Sequence, residues 1–276
     1  MELTLPITLA VLGAALLHAG WNALLKGAAD KQLDTVAISV GAGLVGLLVA
    51  VWLPFPARAS WPWLAASAAV HILYFVFLAG AYRWGDLSYA YPIMRGGGPV
   101  IVALAGAAVF GEALGVFATA GIALVCAGII AFAAGKADRR ATLFALGNAV
   151  VIAAYTLIDA KGARASESPV AYTMWFFVAN ALAIYAWAGL RRGAAVPRYL
   201  AGNWPRLLIG AVLTTGAYAI ALWAMTRAPV ALVAVLRETS VVFAAFIGAL
   251  FLKEKLTRRR LLATGVVLLG LAALRL

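Results

Sequence analysis

Arg95, Arg237 and Glu238 lie inside stretches that are otherwise apolar, and so do His18 and His71. An arginine in the middle of a hydrophobic segment costs at least ~2.5–3.5 kcal/mol on insertion scales, so it has to face a cavity or a partner. Two chemistries fit. A guanidinium can receive a carboxylate ligand through two parallel hydrogen bonds, or it can be a pin tied to helix-end carbonyls or to Glu238. Glu238 in turn could pair with Arg237 or His18, or carry a proton. His18, Trp21 and Asn22 recur at i, i+3 and i+4, one polar stripe on a helix, and His71, Tyr74 and Phe75 repeat that spacing. Neither histidine has a second ligand at zinc spacing, so no metal is expected. The chain also lacks G-x-x-x-x-G-K-[ST], H-E-x-x-H and G-x-S-x-G. That argues against a nucleotide-driven pump and against hydrolytic enzymes, and leaves no catalytic residue and no cofactor to assign.

The aromatic side chains divide by depth. Tyr91, Tyr155, Tyr218 and Trp223, with Tyr82, Tyr89 and Trp175, lie within apolar runs and suit a cavity for a planar or apolar ligand. Trp52, Trp61, Trp63, Trp84, Tyr199 and Trp204 lie near the ends of such runs, where aromatic residues anchor at the membrane interface. Asp159, close to Lys161, reads as an interfacial group. Glu112 and Glu254 fall at junctions between runs and read as caps or hinge contacts.

Lipid is the solvent these residues imply. Of 276 residues, 65% are hydrophobic and only 12% charged, with a mean hydropathy of +0.99; a soluble domain has about 45–50% apolar and about 25% charged residues. A spanning helix takes roughly 20 apolar residues. Charges, glycines and prolines divide the chain into ten such spans, near 4–26, 34–54, 61–82, 88–110, 115–134, 141–160, 168–190, 205–225, 230–252 and 258–275. The net charge of +12 would suggest nucleic acid for a soluble protein. Here lysine and arginine sit in loops and set orientation, so the expected partners are the lipid bilayer and a small-molecule substrate, with no nucleic acid and a monomer sufficing. The lone Cys126 offers no disulfide. The first apolar segment, interrupted by His18 and Asn22, is expected to stay as a span and not be cleaved as a leader.

Two stretches share a register. Tyr91 to Glu112 reads Y-P-I-M-R-G-G-G-P-V-I-V-A-L-A-G-A-A-V-F-G-E, and Val233 to Glu254 reads V-A-V-L-R-E-T-S-V-V-F-A-A-F-I-G-A-L-F-L-K-E. Arg95 and Arg237 are 142 positions apart, as are Glu112 and Glu254, Val100 and Val242, Gly106 and Gly248, and Gly128 and Gly270. A duplicated unit follows, with residues 1–136 as the first copy and 137–276 as the second. Five spans per copy is an odd number, which turns the second copy over in the membrane, an arrangement typical of secondary transporters with a midplane site. Fifteen basic residues fall in loops on one side and five on the other, which puts the first side in the cytoplasm and both termini outside. Gly96-Gly97-Gly98-Pro99 could break its helix and free backbone groups for a ligand, or let a neighbour pack closely. Packing is favoured, since Gly96 does not by itself require unwinding. Bending is expected at this run, at Gly111 and at Lys253.

The motifs F-G-E-x-L and L-K-E-x-L, each followed by a glycine-spaced helix (Gly121 to Gly128, Gly265 to Gly270), resemble the EamA-type branch of the drug/metabolite transporter superfamily over nearly the whole chain. Within it, the size and aromatic-lined polar helices are similar to bacterial amino-acid exporters, including those for aromatic amino acids. The resemblance implies an all-α polytopic membrane protein with ten transmembrane helices, as two inverted five-helix repeats around a central cavity. It implies alternating access and residence in the bacterial inner membrane. The second copy departs from the pattern L-E-P-V-F, having Arg237-Glu238-Thr239-Ser240-Val241-Val242-Phe243. Purines, drugs and other metabolites stand as alternative substrates, and an intramembrane enzyme acting on lipids as the alternative class.

Overall fold

The computed structural model describes residues 2–26, 28, 30–85, 87–112, 114–133, 138–251 and 257–274. Its elements are α1 (Leu5–Lys26), α2 (Lys31–Ala50), a 3-10 turn (Arg58–Ser60), α3 (Trp61–Trp84), α4 (Leu87–Phe110), α5 (Val116–Ala131), α6 (Arg139–Ala165), α7 (Pro169–Arg192), α8 (Ala195–Met225), α9 (Val230–Glu238), α10 (Ser240–Phe251) and α11 (Arg258–Ala273). No strand occurs among the described residues. Eight helical segments are long and apolar enough to cross a membrane, with α9 and α10 forming one of them, and α5 and α11 are shorter apolar helices. Ten spans result. The Lys253–Leu256 corner with Glu254, and also Lys136 and Arg275, lie outside the described residues.

Local chemistry sets the boundaries. Asp30 caps α2 by accepting the amides of Gln32 and Leu33, both at 3.0 Å. Asp138 caps α6 through Arg140 and Ala141 at 2.8 and 2.9 Å. Gly111, at φ +66, ends α4 in the left-handed region that side chains with a Cβ rarely enter. One expected loop is largely helix: α8 begins at Ala195 and runs through Pro205, not at residue 205. Val196, Tyr199 and Leu200 give that first stretch an apolar face against Leu33, Val36 and Ile184.

Contacts gather the loops at two ends. At the basic end, Arg206 of α8 reaches the Leu24 carbonyl of α1 and lies 3.0 Å from Asp34 of α2. Tyr89 meets Thr142 at 2.8 Å, and Arg259 donates to the Ala131 carbonyl at 2.9 Å. At the other end, called here the Glu112 end, the Ala57 amide donates to the Ser166 carbonyl at 3.1 Å and Lys161 stands over the Trp63 ring at 5.4 Å. The most extensive helix pairings are α3 with α6, α2 with α7, α5 with α11, α4 with α6 and α1 with α8. Small residues permit the closest of these: a Cβ on Gly121 would stand 2.8 Å from the Gly270 carbonyl oxygen, and one on Gly46 only 2.7 Å from the Met174 carbonyl oxygen. Leucines such as Leu44, Leu104, Leu190 and Leu262 point outward on the surface that lipid covers.

Candidate functional site

Two helices meet at mid-bundle with opposite charges. Arg95 of α4 and Glu238 at the end of α9 form an ion pair, Nε to Oε2 at 2.6 Å, with the two side chains 8% and 5% exposed. The contact is ionic without the alignment of a hydrogen bond, and Nη2 of Arg95 has no hydrogen-bond partner among the described residues. Glu238 thus pairs across the bundle with Arg95, not with its neighbour Arg237 or with His18. Arg237 lies on the face of the Tyr218 ring, 5.1 Å from its centroid. Among the described residues no carboxylate pairs with it.

A backbone irregularity sets this arrangement. The Thr239 amide bonds to the Leu236 carbonyl at 3.2 Å, a three-residue step, while its hydroxyl takes the same carbonyl at 2.7 Å. Such back-bonding by threonine bends helices, and the ninth span changes from α9 to α10 at this residue. α4, by contrast, runs unbroken through Gly96-Gly97-Gly98-Pro99. A Cβ at Gly96 would stand 2.7 Å from Ile130, at Gly97 3.0 Å from Ala149 and at Gly98 2.9 Å from Ile152. The run fits α4 against α5 and α6, so the helix break lies at Thr239 and not at the glycines.

Between these helices is a cavity of about 10 Å³, lined by Arg95, Gly98, Pro99, Tyr155, Arg237 and Glu238 among others. That is room for about one water. Tyr91, Tyr74 and Tyr155 stand close enough to Arg95 to act on its charge. Tyr155 also packs on His71, ring centroids 4.3 Å apart, and meets Tyr74 edge-on at 6.1 Å. His18 lies near enough to Arg95 and Arg237 for their charges to act on it. Its own stripe is satisfied internally: the Trp21 indole donates to His18 Nδ1 at 3.2 Å, and the Asn22 amide to the His18 carbonyl at 2.8 Å. Trp223 is not brought to the cavity, for it carries Arg227 on its ring at 4.7 Å. Trp175 packs on Phe55 at 4.7 Å.

Asp159 is a correction. Instead of lying at the interface it is fully buried. The Tyr172 hydroxyl donates to its Oδ1 at 2.9 Å and Tyr218 donates to its Oδ2, while the nearby Ser67 hydroxyl lies 3.3 Å from His71 Nδ1. Its nearness to Lys161 hid it, although Asn148, Tyr155 and Asp159, seven and four residues apart, already mark one polar face of a helix. Tyr199, expected as an interfacial anchor, donates to buried Asp34 at 2.7 Å. Glu112 proves to be a cap: Oε2 accepts the Val230 amide at 2.8 Å, at the start of α9. Its Oε1 holds Arg164 at 2.6 Å, and Arg164 also takes the Met225 carbonyl at 2.9 Å and lies on the Phe110 ring at 4.5 Å. No group of metal-ligating side chains occurs among the described residues.

No curated protein matches the chain. A solved structure described only as "Crystal structure of protein" covers 98% of each chain at TM-score 0.76 and 22% identity, a likeness of fold. The model of the EamA-like transporter family matches residues 139–276, half of the chain. With ten helical spans around a charged, ring-lined centre, the chain is a member of the EamA-like transporter family, a multi-pass membrane protein of the drug/metabolite transporter superfamily.

Proposed function

We propose that this protein is a secondary transporter that exports amino acids, aromatic or otherwise apolar, across the bacterial inner membrane by alternating access. The carrying observation is the cavity between α4, α6 and α9, where Arg237 lies beside Tyr155 and Tyr218 with no carboxylate of its own among the described residues. A guanidinium there suits a substrate carboxylate, and the rings around it suit an apolar side chain. The substrate set proposed is His18, His71, Tyr74, Tyr91, Arg95, Tyr155, Tyr218, Arg237 and Glu238, with Trp21 and Asn22 positioning His18.

Two inverted repeats, 1–136 and 137–276, are part of the reading. Helix pairings support them, because α3 with α6 exchanges into α8 with α1 when the copies swap, and α3 with α7 into α8 with α2. The basic end then faces the cytoplasm, and a monomer suffices. Alternating access requires the small cavity to widen toward one face at a time.

Purified protein in liposomes tests this with labelled phenylalanine, adenine and a quaternary ammonium as probes. Phenylalanine flux is expected, and Arg237→Ala should abolish it while the protein stays in the membrane in normal amount. Normal phenylalanine flux in Arg237→Ala would take that arginine out of the site. Flux of adenine or the ammonium alone would overturn the amino-acid assignment.

A further inference from the structure

Burying a carboxylate without a counter-ion is costly, and the protein normally pairs or neutralises it. Glu238 follows that rule through Arg95. Asp159 does not: it is fully buried, and among the described residues no lysine, arginine or histidine forms an ion pair with it. Its partners are two hydroxyls, from Tyr172 on α7 and Tyr218 on α8. The charged and titratable groups on the surrounding elements are engaged elsewhere. His71 of α3 donates from Nδ1 to the Ser67 carbonyl at 2.9 Å, since a carbonyl only accepts, and the Ser67 hydroxyl lies 3.3 Å from the same nitrogen. Arg95 of α4 and Glu238 of α9 hold each other. Arg164, on the same helix as Asp159, holds Glu112, and Lys161 lies over Trp63. Arg237 of α9 forms no ion pair with Asp159; it lies over the Tyr218 ring, near enough for its charge to act on the carboxylate as well.

Tyr218 is the connection. Its ring carries the Arg237 guanidinium and its hydroxyl is bound to Asp159. While Asp159 is ionised, a charge-assisted hydrogen bond fixes Tyr218 and thereby the bed on which Arg237 lies. Once a proton adds to a carboxylate oxygen, that oxygen becomes a donor and its hold on Tyr218 weakens. Protonating Glu238 instead would leave Arg95, 6% exposed, without its counter-charge. Building on the transport reading above, we infer that Asp159 is the site where this protein binds and releases an exchanged proton, and that Tyr218 links that proton to the substrate carboxylate at Arg237. Proton and substrate then oppose each other, and by linkage each weakens the binding of the other.

Infrared spectra of the purified protein in sodium-free liposomes, taken across a pH series, read the protonated-carboxyl stretch with no substrate present. A titrating band is expected in the natural sequence, lost in Asp159→Asn and kept in Glu238→Gln. A band that persists in Asp159→Asn, or is absent throughout, overturns the assignment, and so does one that follows added sodium in place of pH. If Asp159→Asn does not reach the membrane, Tyr218→Phe keeps the carboxylate and removes one donor; an unchanged midpoint there overturns the assignment as well. Adding phenylalanine to the natural protein should release protons, and to Asp159→Asn none. Equal release from both overturns the link, whereas an infrared result as expected with no phenylalanine binding counts against the amino-acid reading alone.

Discussion

Arg95 and Arg237 stand 142 positions apart, at the same place in two stretches of shared register, yet do different work. Arg95 is locked to Glu238 at 2.6 Å, while Arg237 rests on an aromatic face. Removing one member of a buried pair strands the other, at a cost of about 3–5 kcal/mol. Arg95→Ala should therefore lower thermal stability in detergent markedly, and Arg95→Met with Glu238→Leu should recover most of that loss without recovering transport. Equal melting of Arg95→Ala and the natural protein would show that the pair is not holding α4 to α9. Much of this chemistry was legible in the sequence, because a charge inside an apolar run is conspicuous. Which charges pair was not, since Glu238 stands beside Arg237 in the chain and meets Arg95 only through the crossing of two helices. Asp159 was misread for the opposite reason: a lysine two residues on made a buried acid look interfacial.

At the scale of elements, each end of the bundle has an arginine that ties a carboxylate to the end of a neighbouring helix. Arg206 joins Asp34 to the α1 terminus, and Arg164 joins Glu112 to the α8 terminus, with Glu112 capping α9. Around the second clamp Ala224, Met225, Ala228 and Val230 are fully buried, so that end is shut. Hydrogen bonds to charged groups contribute about 1.5–3 kcal/mol, and Arg164 is partly exposed, so the lower figure applies. In a Cys126→Ala background, Val230→Cys should label slowly with an impermeant maleimide, and on the order of tenfold faster once Arg164→Ala is added. Equal rates would mean the clamp does not hold that end closed. The ten spans could be read from hydropathy alone. The helix break could not: glycine and proline are the usual signs, yet the glycine run of α4 is filled by Ile130, Ala149 and Ile152, and a threonine hydroxyl interrupts the ninth span.

For the molecule as a whole, residues 1–136 and 137–276 are not separate bodies in space. Each of the most extensive helix pairings joins a helix before residue 136 to one after it. Labelling single cysteines at Gly111 and Lys253 should place them on opposite membrane faces; finding both on one face would remove the inverted repeat and the cavity it encloses. The interleaving has a further meaning. A polypeptide ending near residue 136 would reach the bilayer with α1, α2 and α5 lacking the neighbours against which they close. Only a complementary fragment could supply them. Two genes each encoding one such half would have to be expressed together, and joining them into one reading frame fixes their ratio at one to one.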